Sequence, residues 1–269
     1  MNRRHAFTGI LALFCLGLLA KQGLPQESLS KVIKRIQPAV VTIIGYDAND
    51  RVTKIGSGFL IDNEGHLITC AHVISGVARA EVKMANGMRY PLKTLVAEDA
   101  TADLVKLFVD GLRGNPAYLP ISKIIPEVGE RVVVVGSPLG LEETVSDGMV
   151  SGIRIVRGRG EILQISAPIS AGSSGGPVVN LKGEVVGVAM FQMGKGQNLN
   201  FAIPGIRVLA LRDGPPRPLT TQEKEVQPSQ PSPPGLGQSL PPRPEVLVPP
   251  PRFQEPPTEP APQPQGPQP

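Results

Sequence analysis

One short stretch decides how this chain is expected to fold. It reads Gly172-Ser173-Ser174-Gly175-Gly176-Pro177. A serine that acts as a nucleophile must stand clear of neighbouring strands, and the glycine two residues before it can adopt the positive φ that such a turn requires. Glycine and serine also make flexible linkers, but here strand-like runs bound the segment, and Val178-Val179 returns at once to apolar sequence. We therefore predict a nucleophile turn centred on Ser174.

A nucleophilic serine needs a general base, and histidine is the side chain that fills this role most naturally near neutral pH. Beyond the N-terminal segment the chain has two histidines, His66 and His72. His66 follows Gly65 and is expected to be a solvated hairpin residue, about 20 Å from His72 along an extended strand. His72 lies in the apolar run 67–74. A histidine in such a run can also be a satisfied core residue, but by elimination it is the candidate base.

Asp103 is the candidate carboxylate that would orient the imidazole of His72. It begins the apolar run Asp103–Leu107, so it is coupled directly to a buried strand. Its competitors are Asp99, within a polar cluster, and Asp110, which precedes a glycine. Taken singly, each of these residues would be interpreted as an exposed turn carboxylate.

The rest of the domain consists of short strand-like segments separated by turn signals such as Asn86-Gly87. The predicted strands are Val40–Tyr46, Gly58–Ile61, His66–Ile74, Ala80–Met84, Tyr90–Val96, Leu104–Val109, Arg131–Gly136, Thr144–Ile153, Glu161–Ser166, Val185–Phe191 and Asn198–Ile203. They indicate an all-β barrel or sandwich, and a division into two barrels near Val109–Ile121 fits their number. Short helices are predicted at Ser28–Gln37 and Pro204–Arg212. The chain order His, Asp, Ser is typical of chymotrypsin-like enzymes rather than of subtilisin-like or α/β-hydrolase ones.

Composition divides the chain into three parts. A basic start followed by the apolar run Ala6–Ala20 predicts a signal peptide over residues 1–20. An uncleaved anchor is the alternative, and either would place the domain outside the cytoplasm, in the periplasm or secreted. Residues 24–213 are predicted to form one globular domain. Residues 214–269 hold about two-thirds of the 30 prolines and are predicted to be a disordered tail with polyproline II character, because they cannot bury enough apolar surface to offset their ordering entropy.

Charge and metal-ligand content argue against two other classes of protein. The net charge is +4 at pH 7, without a basic block or interleaved aromatic residues, so nucleic-acid binding is not indicated. Two histidines and Cys70 argue against a protein zinc site. Cys70 has no partner for an intrachain disulfide once the signal peptide is removed, and it is expected to be a small buried residue rather than a reactive thiol.

Several motifs together resemble the protease domain of the HtrA/Deg family of trypsin-like serine proteases. The segments that carry the resemblance are Gly56–Ile61, Gly65–Val73, Asp103–Leu107, Gly136–Leu141, Thr144–Ser151, Ala171–Pro177 and Asn198–Pro204. In that order they are similar to the family's GSGF, ILTNAHV, DLAVL, GSPFGL, TVTxGIVS, PGNSGGP and GIGFAIP motifs. Each motif alone is weak, but the colinear set over residues 28–212 is specific.

The resemblance implies a chymotrypsin-like double β-barrel with the site in the cleft between the barrels. It assigns His72 as the base, Asp103 as its orienting carboxylate and Ser174 as the nucleophile. Backbone N–H groups of Gly172 and Ser174, with Ser173 between them, would form the oxyanion hole. The reaction would be peptide-bond hydrolysis through an acyl-enzyme, without cofactor or metal, on unfolded or damaged polypeptides, and a homotrimer is the implied assembly.

The sequence departs from the family at two places. Ser173 stands where the family usually has Asn and zymogen-activated relatives have Asp, so activation through an ion pair with a new N-terminus is not expected. The family typically carries PDZ domains after the protease, whereas the predicted proline-rich tail follows here. Substrate capture and activation through PDZ domains are therefore not carried over.

The pocket for the residue before the scissile bond is predicted from two segments of the chain. Its walls would be Ile165, Ser166, Ala167, Pro168, Ile169, Ser170, Val188, Ala189 and Met190. Since none of these residues is acidic, we expect a preference for small or medium apolar side chains such as Val, Ala or Leu over Lys and Arg.

Two classes of function follow from these observations. The first is an exported serine endopeptidase that acts in protein quality control. The second is a catalytically silent, protease-like scaffold that binds peptide in its cleft while the tail recruits a partner through Pro241-Pro242-Arg243-Pro244 or Pro249-Pro250-Pro251-Arg252. The tail can equally be a spacer. An intact triad favours the enzyme, and an esterase that uses the same residues has no feature in its favour.

Overall fold

The computed structural model describes residues 28–136, 144–190 and 200–219. By its contacts the chain divides into Met1–Glu225 and Val226–Pro269, and every described residue belongs to the first unit. The predicted signal peptide lies outside the described residues, as does the predicted tail beyond Leu219. Within the described residues, no helix has the length and apolarity needed to cross a membrane.

Twelve antiparallel strands close into two six-stranded barrels, which confirms the predicted all-β double barrel. The first barrel contains β1 Val40–Tyr46, β2 Val52–Leu60, β3 His66–Cys70, β4 Arg79–Met84, β5 Arg89–Asp99 and β6 Leu104–Val109. The second contains β7 Arg131–Gly136, β8 Thr144–Val156, β9 Gly160–Ile165, β10 Pro177–Asn180, β11 Val185–Met190 and β12 Asn200–Pro204. The first closes through pairing of β5 with β6, and the second through pairing of β10 with β7.

The four consecutive valines of β7 show how the two barrels are joined. Side chains alternate between the faces of a strand, so Val132 and Val134 point into the second barrel's own core. Val133 and Val135 point the other way, into a cluster that also holds the interior of the first barrel. Burial of both faces explains why this strand is a continuous apolar run rather than an alternating one. The resulting apolar seam fixes one barrel against the other and so positions the cleft between them.

Among the described residues, three short helices lie outside the barrels. Helix α1, Leu29–Ile36, buries Val32 and Ile36, and a 3₁₀ turn at Gln37–Ala39 follows it. Helix α2, Ala71–Ile74, interrupts the predicted strand His66–Ile74, which therefore ends at Cys70 and was predicted too long. Helix α3, Ile206–Leu209, occupies the centre of the predicted C-terminal helix.

The described chain continues past the predicted end of the domain at residue 213. The Gly214 N–H donates to the Val96 carbonyl at 3.0 Å. A two-residue strand, β13 Arg217–Pro218, then pairs with β5. The Arg217 guanidinium also lies 2.6 Å from the Glu98 carboxylate. Regular contacts with the first barrel therefore extend to Leu219, six residues beyond the predicted boundary.

Candidate active site

His72 and Asp103 are in direct contact. His72 Nδ1 lies 2.6 Å from Asp103 Oδ2, and the His72 backbone N–H donates to Asp103 Oδ1 at 2.9 Å. The Asp103 carbonyl accepts a third hydrogen bond, from the Ala71 N–H at 3.0 Å. Asp103 thus binds the first turn of α2 through its side chain and its main chain. These bonds give a physical reason for the chain to leave the strand at Cys70 and turn into α2.

The loop that presents Asp103 is held by Asp99. Asp99 Oδ1 accepts a hydrogen bond from the Ala102 N–H at 2.9 Å, and Oδ2 lies 2.8 Å from the Arg207 guanidinium. Partial burial raises the pKa of Asp99, but the hydrogen bonds from Arg207 and the Ala102 N–H, together with the Arg207 charge, outweigh it and hold that pKa below its ordinary value. Asp103 itself has a φ of 60°, a conformation that non-glycine residues seldom adopt. Asp99, the sequence competitor, therefore supports the loop that carries Asp103.

The contact with Asp103 determines what the imidazole of His72 can do. A carboxylate is an acceptor only, so the Nδ1 of a neutral His72 must carry the proton that it shares with Asp103. Nε2 is then left with a lone pair, which is the form of imidazole that accepts a proton. The His72 side chain is 43% exposed whereas that of Asp103 is 15% exposed. The pair therefore has its carboxylate end covered and its basic end open.

His66, the other histidine, lies at the far end of β3 from Cys70, paired in register with Phe108. Its Nδ1 is 2.7 Å from Asp62 Oδ2, and its backbone N–H donates to Asp62 Oδ1 at 3.1 Å. Its ring also meets Phe108 edge-on, with 5.6 Å between the centroids. The part of the chain that the structure describes therefore contains two Asp–His pairs of similar local geometry, and of these two the His72 pair lies near the Ser174 turn.

The turn that carries Ser174 lies between β9 and β10 and is nearly buried. Ser174 is 6% exposed. Gly172 and Gly175 have φ values of 95° and 85°, in the region that favours glycine. The Ser173 N–H donates to the Ser170 carbonyl at 3.0 Å, and the Gly175 N–H donates to the Ala189 carbonyl at 2.8 Å. The segment is therefore a fixed turn and not a flexible linker.

This turn packs directly against the strands that lead to His72. A Cβ atom at Gly175 would lie 2.2 Å from Thr69 Oγ1, 2.3 Å from the Ser57 carbonyl oxygen and 3.0 Å from the Cys70 nitrogen. Cys70 is two residues before His72, and Ser174 is one residue before Gly175. The fold thus brings together the neighbourhoods of three side chains that are 31 to 102 residues apart in the sequence.

The close approach at Gly175 predicts a large loss of stability on substitution. Gly175→Ala is expected to lower the free energy of unfolding by about 3 kcal/mol, since overpacking adds to an unfavourable positive φ. Gly87→Ala is the matched control, because Gly87 has a φ of 82° with no atom within 4 Å of an added Cβ; it should cost about 1 kcal/mol. Urea unfolding of both variants measures the difference, and equal losses would contradict the packing argument.

Ser57 is a residue of the site to which the sequence analysis assigned no role. It is fully buried on β2. Its N–H donates to the Ser174 carbonyl at 2.8 Å, and its hydroxyl donates to the Gly172 carbonyl at 2.7 Å. Ser57 belongs to the Gly56–Phe59 motif that the sequence shares with the HtrA/Deg family, and this motif could have marked it. No sequence pattern shows, however, that the two barrels meet at this side chain.

Cys70 lies next to the His72–Asp103 pair and is completely buried. Burial and, secondarily, the Asp103 charge raise the pKa of its thiol well above the ordinary value. Ligand atoms of Cys70, His72 and Asp103 fall within 4.8 Å of one another, but a metal ion there would have to deprotonate this thiol and displace the hydrogen bond between His72 and Asp103. The environment of Cys70 therefore favours a structural, buried thiol rather than a metal ligand or a reactive group.

The predicted wall residues of the specificity pocket separate into two sets. Side chains that face the cores are those of Ile165, Ala167, Ile169, Val188, Ala189 and Met190. The alternating residues Ser166, Pro168 and Ser170 are exposed. Arg159, which the sequence analysis did not consider, places Nη1 2.8 Å from the Met190 sulfur. Residues 137–143 and 191–199 lie outside the described residues.

Two cavities flank the site. One of about 890 Å³ is bordered by His72 and Asp103 on one side and by Leu95 and Leu219 on another. A smaller one, of about 320 Å³, is bordered by the exposed start of β2, residues 52–55, together with Ala171 and Gly172. The imidazole of His72 therefore borders the larger cavity, and the turn that carries Ser174 borders the smaller one.

The double barrel and the Asp–His pair beside a serine turn define a trypsin-like serine peptidase domain. The profile of the trypsin-like peptidase domain matches residues 56–188. The chain is 34% identical over 194 residues to Serine protease HTRA1A of Danio rerio, covering 67% of this chain and 40% of that protein. It is 30% identical over 193 residues to Serine endoprotease DegS of Escherichia coli K12, covering 66% and 54%. The crystal structure of the serine endoprotease from Yersinia pestis superposes with a TM-score of 0.60 at 31% identity, covering 70% of this chain and 65% of that chain.

This domain belongs to the HtrA/Deg family, as the motifs in the sequence indicated. The match to HTRA1A and DegS spans about half the length of those proteins or less. Shared ancestry over the protease domain therefore fixes the class of protein, and the activity of the whole protein is a separate inference.

Proposed function

We propose that this protein is a serine endopeptidase in which Ser174 is the nucleophile, His72 the general base and Asp103 its orienting carboxylate. The observation that carries the proposal is the 2.6 Å contact between His72 and Asp103, made beside a rigid serine turn that packs on the residues before His72. Membership of the HtrA/Deg family supports the same assignment.

In the proposed reaction, His72 Nε2 takes the proton of the Ser174 hydroxyl as Oγ attacks the carbonyl carbon of the scissile peptide bond. The carbonyl oxygen becomes an oxyanion, and the N–H groups of Gly172 and Ser174 stabilise it. The Ser173 N–H is already used within the turn, which supports this choice of donors. The protonated His72 then delivers its proton to the leaving amine as the C–N bond breaks, and water hydrolyses the acyl-enzyme by the same sequence of steps.

Polypeptide substrates suit the surroundings of the site. One cavity borders His72 and the other borders the turn of Ser174. A substrate peptide in an extended conformation is the ligand that would reach both cavities. We propose unfolded or damaged polypeptides outside the cytoplasm as the substrates, with a role in protein quality control. We also propose that the protein is exported, on the basis of the predicted N-terminal signal peptide, and that it forms a homotrimer, on the basis of its family. A partner for the proline motifs remains a sequence prediction.

Fluorophosphonate labelling tests the enzyme against the silent scaffold. The purified full chain should acquire one label per molecule, on Ser174, and should cleave casein. Ser174→Ala should show neither labelling nor cleavage. A wild-type protein that binds peptides but takes no label would favour the catalytically silent scaffold.

Substrate preference is a further prediction, and Arg159 contributes to it. Peptides with Val before the scissile bond should be cleaved at least tenfold faster, in kcat/KM, than matched peptides with Lys. The predicted walls contain no carboxylate, and the Arg159 charge beside Met190 repels a basic side chain. Arg159→Gln removes this charge and should therefore reduce the ratio of kcat/KM between the Val and the Lys peptides. Efficient cleavage after Lys or Arg, with none after Val, would contradict this assignment of the pocket.

A further inference from the structure

Ser57 lies where two strands of the first barrel separate. Strands β2 and β3 pair at Phe59 with Ile68 and at Leu60 with Leu67, and then diverge. The turn that carries Ser174 occupies the opening. The Ser57 N–H donates to the carbonyl of Ser174 in this turn. If β3 had continued beside β2, a carbonyl of β3 would have accepted this hydrogen bond instead. The second barrel thus completes the hydrogen bonding of the first at this point.

The Ser57 hydroxyl makes a second bond that the strand pairing does not require. It donates to the Gly172 carbonyl at 2.7 Å across the seam between the barrels. Gly172 has a φ of 95° and no side chain, so its peptide orientation is not restricted by its own sterics. Two hydrogen bonds therefore orient the peptide that joins Gly172 to Ser173: the Ser57 hydroxyl donates to its carbonyl, and its N–H donates to the Ser170 carbonyl within the turn.

We propose that Ser57 is a positioning residue for the oxyanion hole: its hydroxyl and N–H hold the carbonyls of the Gly172–Ser173 and Ser174–Gly175 peptides. These two peptides adjoin the peptides that carry the Gly172 and Ser174 N–H groups, and so restrict where those N–H groups point. This inference rests on the proposed function and deepens it. The Ser174 N–H lies in the Ser173–Ser174 peptide, between the two peptides that Ser57 binds, and the Gly172 N–H lies in the peptide directly before them. Ser57 touches no reacting atom in this arrangement, and it acts through the backbone of the turn.

The space around Ser57 is fitted to this role. An added Cβ at Gly136 would lie 3.1 Å from Ser57 Oγ and 2.9 Å from Ser173 Cα, and one at Gly176 would lie 3.3 Å from Ser57 Cβ. A larger side chain than serine therefore has no room. Alanine removes only the hydroxyl and leaves the Gly172 carbonyl without this buried donor.

Thr69 offers a matched control for the loss of a buried hydroxyl. It is as buried as Ser57, it lies on the adjacent strand, and its hydroxyl donates to the Ser57 carbonyl at 2.7 Å. A hydroxyl has one hydrogen to donate, and that of Thr69 goes to the Ser57 carbonyl rather than to a carbonyl of the serine turn. Thr69→Val should therefore perturb packing and hydrogen bonding to a similar extent without releasing the Gly172 carbonyl.

The test compares full-length wild type, Ser57→Ala and Thr69→Val by kcat per titrated active site, by KM and by inhibition with a peptide aldehyde, which forms a tetrahedral adduct. Ser57→Ala should lower kcat about 10- to 100-fold, less than complete loss of an oxyanion donor, with KM changed less than threefold. Aldehyde affinity should fall by about the same factor as kcat/KM, whereas binding of the cleaved product peptide should not. Thr69→Val should retain kcat within about threefold.

Two outcomes would overturn the proposal while leaving the proposed function intact. One is an equal loss of kcat in Ser57→Ala and Thr69→Val, and the other is a fall in the titrated active fraction of Ser57→Ala with an unchanged kcat per site. Either would reduce Ser57 to a structural role. A wild-type protein that neither labels nor cleaves would instead remove the proposed function itself.

Discussion

Replacing either Ser174 or His72 with alanine is expected to lower kcat for a peptide substrate by roughly 10⁵- to 10⁶-fold. In the proposed reaction, Ser174→Ala removes the atom that would form the acyl-enzyme. His72→Ala leaves that atom in place but removes the acceptor for its proton, and an alcohol is a weak nucleophile at neutral pH. The Asp103 carboxylate would then have no imidazole to orient. Both variants should fold, because the His72 side chain is partly exposed and Ser174 loses one oxygen.

The double variant distinguishes a triad from two independent contributions. Residues that act as one unit are not additive, so Ser174→Ala combined with His72→Ala should be no slower than either single variant. The measurement is hydrolysis of a fluorogenic peptide at high enzyme concentration, with Ser57→Ala as a partly active reference. A His72→Ala variant that labels with fluorophosphonate at the wild-type rate would show that another group, or none, activates Ser174.

Much of the fold could be predicted from the sequence because the signals are local. The runs Val40–Tyr46, Leu104–Val109 and Arg131–Gly136 are bounded by turns and coincide with β1, β6 and β7. Other strands were predicted too short, since their ends depend on partners. Residues 154–156 of β8, for example, carry a mixed pattern, and pairing with Gly160–Ile162 of β9 keeps them in the sheet.

The turn at Cys70 shows where local pattern fails. Residues 67–74 form an unbroken apolar run apart from Thr69 and His72, which favours one strand. The strand ends because Asp103, 31 residues away in sequence, accepts the N–H groups of Ala71 and His72. The sequence predicted His72 and Asp103 as site candidates but placed His72 on a strand. A hydrogen bond between residues 31 positions apart leaves no signal in the local sequence.

The candidate residues were predictable by scarcity, whereas their supports were not. Beyond the N-terminal segment, two histidines and one serine turn left few choices for a base and a nucleophile. Ser57, Asp99 and Arg207 act through the main chain of other residues, and no composition rule marks a serine that will donate to a carbonyl 115 residues away. The walls of the specificity pocket stay a prediction, because no bound substrate marks the pocket among the described residues.

Asp103→Asn should lower kcat roughly 10⁴-fold while leaving the fold in place. An asparagine can still accept the His72 N–H through its oxygen, so the α2 turn is retained. The amide nitrogen of the asparagine carries two hydrogens and is a donor, and it would then face His72 Nδ1. The imidazole would respond by placing its proton on Nε2, and a protonated Nε2 cannot accept the Ser174 proton. The loss therefore comes from the wrong tautomer and not from a lost charge alone.

Asp62→Asn is the matched control, since Asp62 makes the same two contacts with His66 at the far end of β3. Partial burial raises the pKa of Asp62, but backbone and side-chain hydrogen bonds from His66 outweigh it and hold that pKa below its ordinary value. Asp62 therefore contributes stability above the ordinary aspartate pKa, and this is lost as the pH falls through the lowered value. Asp62→Asn should reduce stability slightly at neutral pH with kcat unchanged. A comparable loss of kcat in both variants, measured with the same peptide, would show that the His72–Asp103 contact has no special place in the reaction.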